Sequence, residues 1–198
     1  MVLFNILYRT FFIRSDQYGT AFTLDVGHNE YLITADHLLP PKVSEVELQI
    51  FHDKRWLPQK AQVIGRGQGE IDIAVLRVNA HLTPPGLPVT PSIGDLALGQ
   101  DMFFLGFPFK AWGDVGSFLA GLPLLFAKKG TLSSISIGTP QALHIDAINN
   151  QGFSGGPLFF YPHTNPNELR IAGVVSKFRI EYETVLDEDG MPTKMSVP

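Results

Sequence analysis

One stretch of this chain is the most informative about its fold and chemistry: Asn150-Gln-Gly-Phe-Ser-Gly-Gly-Pro-Leu158. Glycine carries too much backbone freedom for a helix interior and proline lacks the amide donor, so the stretch must form a tight, irregular loop. Gly152 allows a turn that aims the N–H groups of residues 152 and 154 at one point beside the Ser154 hydroxyl, as an oxyanion hole requires. Ser154 is therefore a candidate nucleophile, although the stretch alone fits equally well a simple turn before a strand at residues 158–160.

Two upstream residues could activate such a serine. A serine hydroxyl is a poor nucleophile until a general base takes its proton, and histidine suits that task near neutral pH. His37 closes the sequence Thr-Ala-Asp-His after an extended run at 31–33, and Asp72 opens an apolar strand. An unpaired carboxylate is costly to bury there, and a carboxylate is what fixes the tautomer of a catalytic histidine. Each residue alone also fits an ordinary surface or turn position, but the set His37, Asp72 and Ser154 indicates a catalytic triad.

The rest of the chain consists of short strands separated by turn residues. Strands are predicted at residues 1–10, 22–26, 31–34, 45–50, 60–64 and 71–78, then at 102–105, 131–137, 142–148, 158–161 and 169–176, with a hairpin turning near 189–190. A proline-rich stretch at 79–99 is a candidate linker between the two sets. The pattern predicts an all-β fold of two barrels or sandwiches in tandem, with the broken, apolar segment 107–130 folded over the surface near the site.

Composition excludes several classes of function. The chain has 198 residues, 44% of them hydrophobic, and a formal net charge of −4, which argues against nucleic acid as a partner. It has no cysteine, its six histidines show no ligand spacing, and no glycine loop leads into a helix, so we expect neither a metal nor a cofactor. We expect no membrane span, since no apolar run approaches ~20 residues. The N-terminus lacks signal-peptide features, which slightly favours the cytoplasm.

The three motifs resemble those of the trypsin/chymotrypsin superfamily, and more closely its bacterial-type, disulfide-free branch that includes the high-temperature-requirement proteases. The segment Asp-Ile-Ala-Val-Leu from Asp72 matches that family without change, whereas the histidine and serine motifs depart from it at Asp36 and Phe153. The resemblance covers residues 18–178. It implies a serine endopeptidase that hydrolyses protein or peptide substrates through an acyl-enzyme, with the triad described above.

The resemblance also implies the architecture. Two six-stranded antiparallel β-barrels would stand in tandem, with the active site in the cleft between them. Residues 1–90 would form the N-terminal barrel that carries His37 and Asp72, and residues 91–198 the C-terminal barrel that carries Ser154. The oxyanion hole would consist of the N–H groups of Gly152 and Ser154.

Three further residues are expected to bind substrate. By the same resemblance, Ile148 lies at the base of the pocket for the side chain that precedes the cleaved bond, Phe178 narrows its wall, and Ser176 belongs to the strand that lines the cleft. Isoleucine offers no charge to a buried Lys or Arg side chain. We therefore expect cleavage after small or medium apolar residues, with modest selectivity.

Two other functions compete with this prediction. The Gly-Xaa-Ser-Xaa-Gly pattern also occurs in α/β-hydrolases, but that fold needs a helix after the serine and a histidine well downstream. Pro157 blocks such a helix, and only His163 follows. A protease-like binding module with weak or latent catalysis is the stronger alternative, supported by Asp36, Phe153 and the apolar segment 107–130.

Overall fold

The computed structural model describes residues 4–136, 138, 141–176, 183–189 and 191–197. Within these ranges the chain forms a closed six-stranded β-barrel, a second six-stranded sheet that curls into a half-barrel, and a two-stranded hairpin. Nearly all strand pairs are antiparallel. The predicted all-β fold with two barrel-like halves is therefore confirmed. The boundary between the halves at residue 90 stays a prediction.

The first barrel contains six strands in the spatial order β1-β2-β3-β6-β5-β4. They are β1 (Thr10–Arg14), β2 (Tyr18–Val26), β3 (Asn29–Thr34), β4 (Glu45–His52), β5 (Arg55–Arg66) and β6 (Ala74–Val78). Strand β4 shows why the sheet closes: Glu45 and Glu47 are exposed, whereas Val46, Leu48 and Ile50 are buried. Because side chains alternate along a strand, this pattern turns one apolar face of the sheet inward around a single core.

The second sheet has the spatial order β10-β9-β8-β11-β12-β7. Its strands are β7 (Thr90–Pro91), β8 (Asp101–Gly106), β9 (Phe126–Ser136), β10 (Ala142–Asp146), β11 (Pro157–Phe160) and β12 (Arg170–Val174). The short strand β7 lies inside the predicted linker and pairs in parallel with β12. Strands β13 (Glu183–Leu186) and β14 (Pro192–Val197) form the separate hairpin, in the region where a terminal hairpin was expected.

The predicted N-terminal strand at residues 1–10 is wrong. The chain instead forms one helical turn, α1 (Phe4–Leu7), in which the N–H of Tyr8 donates to the Phe4 carbonyl at 3.0 Å. Ile6 is fully buried, and its carbonyl accepts a 2.7 Å hydrogen bond from the Thr10 hydroxyl. An apolar sequence of this length fits a strand or a buried helical turn equally well, so packing of Ile6 decides between them.

Aromatic side chains join the two halves. The rings of Phe12 from β1 and Phe107 after β8 stack with centroids 4.7 Å apart. Trp56 meets Phe12 edge-on at 4.9 Å, and Phe51 lies 5.0 Å from both Trp56 and Trp112. Such pairs add favourable quadrupole interactions to the burial of large apolar surfaces. They fix the orientation of the halves on either side of the cleft.

The segment between β8 and β9 lies over the turn that joins β4 to β5. The N–H of Asp53 donates to the Gly121 carbonyl at 2.8 Å, and the Lys54 ammonium pairs with Asp114 at 2.7 Å. The hydrogen bond from Lys54, with the nearby N–H of Gly116, lowers the pKa of the Asp114 carboxyl. Leu119 and Leu122 of the same segment are buried in the core of the first barrel, which accounts for the apolar composition of the segment.

Candidate active site

His37 lies in a 3-10 turn, Asp36–Leu38, that directly follows β3. Its backbone N–H donates to Asp72 Oδ1 at 2.9 Å, and its ring Nδ1 lies 2.7 Å from Asp72 Oδ2. Because a carboxylate only accepts hydrogen bonds, this contact keeps a proton on Nδ1 and leaves Nε2 free to accept one. The pair therefore has the orientation that a general base requires.

The strand that was predicted at 71–78 begins instead at Ala74. Asp72 lies in the preceding loop, where both of its carboxylate oxygens are engaged by His37. Its side chain is 12% exposed, so the carboxylate is largely withdrawn from water but not left without partners. The shortened strand thus follows from the two hydrogen bonds that hold Asp72.

Asp36 departs from the usual histidine motif, and its contacts explain the change. Arg66, the last residue of β5, donates to Asp36 Oδ1 at 2.6 Å and to the Pro40 carbonyl at 2.7 Å. The arginine therefore ties the turn that carries His37 to the end of β5, from which the loop with Asp72 departs. Arg66 was not among the predicted site residues, because the only sign of it in the sequence is the acidic residue Asp36 beside His37.

Ser154 is held between the two halves by backbone hydrogen bonds. The N–H of Thr20 donates to the Ser154 carbonyl at 2.9 Å, and the N–H of Gly155 donates to the Val175 carbonyl at 2.7 Å. Gly155 has φ of +83°, and a Cβ added there would lie 2.0 Å from the Thr20 carbonyl oxygen. Only glycine fits this approach, so Gly155 helps to set the position of Ser154.

Gly152 adopts the left-handed turn that the sequence required, with φ of +107°. Its carbonyl accepts hydrogen bonds from the Thr20 hydroxyl at 2.8 Å and the Phe107 N–H at 3.4 Å. In the part of the chain that the structure describes, neither the N–H of Gly152 nor that of Ser154 donates a hydrogen bond. Neither donor is therefore taken up by another described residue, which is one requirement of the predicted oxyanion hole.

Phe153 is fully buried, and its side chain does not line the cleft that contains Ser154. Its ring meets Phe104 edge-on with centroids 5.1 Å apart, and the Lys128 ammonium lies 5.3 Å from its centroid. A polar residue at this position would be buried in the apolar core of the second sheet. The departure from the serine motif is thus explained by the packing of the Phe153 ring in the second sheet.

The predicted triad residues converge on one open cleft of about 600 Å³, which His37, Asp72, Ser154 and Ser176 line together with the loop at 67–71. The Ser154 hydroxyl makes no hydrogen bond to any described residue, His37 included. Rotation about the serine Cα–Cβ bond changes where the hydroxyl points without moving the backbone. The residues that the triad needs therefore meet at the cleft, with the serine–histidine hydrogen bond not formed.

The predicted substrate pocket is only partly within the described residues. Ser176 lies in the cleft, as expected for a residue that contacts substrate. Ile148 is 81% exposed, and its carbonyl accepts a 2.7 Å hydrogen bond from Lys128. Phe178 lies outside the described residues. The described residues therefore do not enclose Ile148, and the pocket stays a prediction.

The described residues contain no group of three or more His, Asp or Glu side chains that could hold a metal ion. They also contain no helix that is long and apolar enough to cross a membrane.

Comparison with known proteins gives a consistent result. A family model described as a trypsin-like peptidase domain matches residues 19–161. No curated protein sequence matches significantly. Among solved structures, an inactive serine-to-alanine mutant of Rv3671c from M. tuberculosis is 22% identical with a TM-score of 0.59, covering 88% of this chain and 77% of that chain.

Two further structures share the fold. The serine endoprotease from Yersinia pestis is 19% identical with a TM-score of 0.55, covering 83% of this chain and 53% of its own. The MamO protease domain from Magnetospirillum magneticum is 18% identical with a TM-score of 0.52, covering 100% and 95%. At these sequence identities the structural similarity shows the fold alone, whereas the match to the family model shows which family the chain belongs to.

Proposed function

Because this chain belongs to the trypsin-like peptidase domain family and is a serine protease, we propose that it is an endopeptidase in which Ser154, His37 and Asp72 act as the catalytic triad. Its substrates are proteins or peptides. The observation that carries the proposal is the two-point contact between Asp72 and His37, at a cleft that Ser154 also lines.

The proposed reaction proceeds through two acyl transfers. Ser154 Oγ attacks the peptide carbonyl carbon while His37 Nε2 takes the hydroxyl proton, and Asp72 stabilises the resulting imidazolium. The oxyanion accepts hydrogen bonds from the N–H groups of Gly152 and Ser154. Collapse of the intermediate breaks the C–N bond, and the imidazolium gives its proton to the leaving amine. Water then attacks the acyl-enzyme by the same proton transfers, which releases the acid and restores Ser154.

The free Ser154 hydroxyl supports a second candidate function, a protease-like binding module whose catalysis is weak or latent. A site that retains the triad residues without the serine–histidine hydrogen bond can bind a peptide without cleaving it. Apo structures of active enzymes also show long or absent catalytic hydrogen bonds that form in the substrate complex. The two functions therefore differ in reactivity and not in the residues present.

A fluorophosphonate probe separates these functions, because it phosphonylates only serines whose hydroxyl is activated by a base. We expect the protein to gain one equivalent of probe, located on Ser154 by peptide mass spectrometry. The Ser154→Ala variant should remain unlabelled, whereas Ser133→Ala, an exposed serine change on β9, should label normally. Absence of labelling in both the free protein and the protein incubated with peptides would favour the binding module.

The substrate pocket extends the proposal. Ile148, Ser176 and Phe178 are proposed to receive a small or medium apolar side chain before the cleaved bond. On a peptide library, the Phe178→Gly variant should cleave more often after aromatic residues than the wild-type protein does. The expected gain in kcat/KM is about one to two orders of magnitude for a side chain several methylenes larger. A wild-type profile dominated by Lys or Arg would contradict the assignment.

A further inference from the structure

Two cations and a phenol form a cluster outside the triad, here called the cationic cluster: Arg14, Tyr18 and Lys110. The Lys110 ammonium lies 4.1 Å from the centroid of the Tyr18 ring. The Arg14 guanidinium lies 5.6 Å from the same centroid and donates a 3.1 Å hydrogen bond to the Tyr18 hydroxyl. Two positive charges thus share one aromatic ring at the protein surface.

Neither cation pairs with a carboxylate in the described part of the chain. Arg14 instead bonds the Gln49 amide oxygen and lies 5.0 Å from the centroid of the Trp56 ring. The hydrogen bond from Arg14, together with the charges of Arg14 and Lys110, lowers the pKa of Tyr18 despite an opposing desolvation effect. The cluster therefore favours negative charge, and an anion placed there would relieve the repulsion between the two cations.

The cationic cluster flanks the nucleophile loop. Two residues beyond Tyr18, the N–H of Thr20 bonds the Ser154 carbonyl, and one residue before Lys110, the N–H of Phe109 bonds the Gln151 carbonyl at 2.9 Å. Val175, next to the cleft residue Ser176, contacts the loop through Gly155 instead. The cluster and Ser176 therefore hold different edges of this loop. Because the C=O and N–H of a trans peptide point in opposite directions, Thr20 and Val175 lie on opposite sides of the Ser154–Gly155 peptide bond. A substrate chain that runs from the Val175 side to the Thr20 side would therefore reach the cluster.

The backbone that presents Lys110 is strained. Phe109 and Lys110 have φ of 53° and 64°, and two consecutive left-handed residues other than glycine are uncommon. Backbone strain of this kind recurs at ligand-binding segments. The N–H of Lys110 donates to the Phe107 carbonyl at 3.3 Å and that of Ala111 to the Pro108 carbonyl at 2.8 Å, and these bonds hold this backbone conformation.

We propose that the cationic cluster is a subsite that binds an acidic side chain of the substrate, within a few residues after the cleaved bond. The proposal rests on the proposed endopeptidase function. The carboxylate would accept hydrogen bonds from the ammonium of Lys110, the guanidinium of Arg14 and the hydroxyl of Tyr18. Because exposed ion pairs contribute modestly, the expected preference for Asp over Asn is about fivefold in kcat/KM.

A proteome-derived peptide library tests this subsite. The wild-type protein should produce cleavages enriched in Asp and Glu at one of the first three positions after the cut. The enrichment should be lost in Lys110→Gln and kept in Lys110→Arg. Lys60→Gln, which removes another exposed charge on β5, is the matched control and should keep it. Two peptides that differ only by Asp or Asn at the enriched position then give the ratio of kcat/KM directly.

The outcomes separate the two proposals. Cleavage without acidic enrichment, or enrichment that survives Lys110→Gln, overturns the subsite and leaves the endopeptidase function intact. No cleavage by any form of the protein overturns both. Amidation of the peptide C-termini should leave the enrichment unchanged, and its loss on amidation would show that the cluster binds a chain end and not an acidic side chain.

Discussion

The two halves of the candidate site are held in different ways. On the first barrel, His37 is fixed by side-chain bonds, because Asp72 engages both its backbone N–H and its ring. On the second sheet, Ser154 is fixed by backbone bonds and by glycines at 152 and 155 with positive φ. The proposed base is therefore oriented by a neighbouring charge, and the proposed nucleophile by the path of the chain.

This difference predicts which substitutions affect the reaction rate alone and which also affect folding. The proposed base half (His37 and Asp72) has its contacts formed without substrate, whereas the proposed nucleophile half (Ser154 and its glycine loop) keeps a hydroxyl and two N–H donors that no described residue pairs with. Isosteric changes in the base half should alter the rate and spare the fold. Changes that add atoms to the glycine loop should alter both.

The largest effect is expected for Ser154→Ala, which removes the attacking oxygen. Hydrolysis of an activated ester should fall by about 10⁶-fold in kcat, to the residual rate that binding and oxyanion stabilisation supply. The variant should unfold at the wild-type temperature, since the methyl group creates no clash. Ester hydrolysis that persists at the wild-type rate would exclude Ser154 as the nucleophile.

Asp72→Asn tests the base half. The amide can donate to the ring and so favours the wrong tautomer of His37, and kcat should fall by roughly 10⁴-fold. Circular dichroism and the melting temperature should report an intact fold. Asp101→Asn, an exposed change on β8, is the control and should leave kcat unchanged.

A contrary result for Asp72 would take a recognisable form. If Asp72→Asn unfolds the protein and the folded remainder keeps its full kcat, the residue is structural and the base half is not catalytic. Equal losses in Asp72→Asn and Asp101→Asn would point to a general effect of charge.

The sequence identified His37, Asp72 and Ser154 because each sits in a short motif whose residue types are tied to one chemistry. The contacts between them could not be predicted in this way. His37 and Asp72 are separated by 35 residues, and only closure of the barrel brings them within 2.7 Å. The same holds for Arg66 and Asp36, a pair 30 residues apart.

Most strand positions were predictable from the alternation of apolar and polar residues, and the exceptions depend on tertiary packing. The N-terminal turn forms because Ile6 is drawn into the core, which no periodicity in so short a segment reveals. Phe153 was interpreted as a departure that weakened the serine motif. Its burial against Phe104 depends on the second sheet, and therefore on residues far away in sequence.

Gly152→Ala tests the nucleophile half. A Cβ at this residue would lie 2.2 Å from the Phe107 carbonyl oxygen, so the loop must move and one oxyanion donor is lost. We expect kcat to fall by about 10²–10³-fold and the free energy of unfolding to fall by about 1–3 kcal/mol. Gly65→Ala on β5 is the matched control, because a Cβ there meets no atom within 4 Å.

If Gly152→Ala lowered kcat with no loss of stability, the claim that the path of the chain fixes Ser154 would be wrong. That result would mean that the chain path around Ser154 tolerates added atoms. The loop would then be adaptable, and the glycine would serve the oxyanion alone.

The smallest of these effects is expected for Arg66→Met, which keeps the length of the side chain and removes its charge. Asp36 would lose its partner, and hydrogen bonds to charged groups of this kind contribute about 1.5–3 kcal/mol to stability. The turn that carries His37 should loosen, with kcat lowered by about tenfold and KM unchanged. The double change Asp36→Ala with Arg66→Met should recover part of the stability, because no unpaired charge remains.

Pre-steady-state hydrolysis of a p-nitrophenyl ester tests whether Ser154 is the nucleophile, since an acyl-enzyme produces a burst of nitrophenol before steady turnover. We expect a burst of about one equivalent per chain, with the acyl group located on Ser154 by mass spectrometry after an acid quench. The burst should be absent in Ser154→Ala. Steady turnover without a burst and without an acylated residue, or an acyl group on another side chain, would contradict the assignment of Ser154 as the nucleophile.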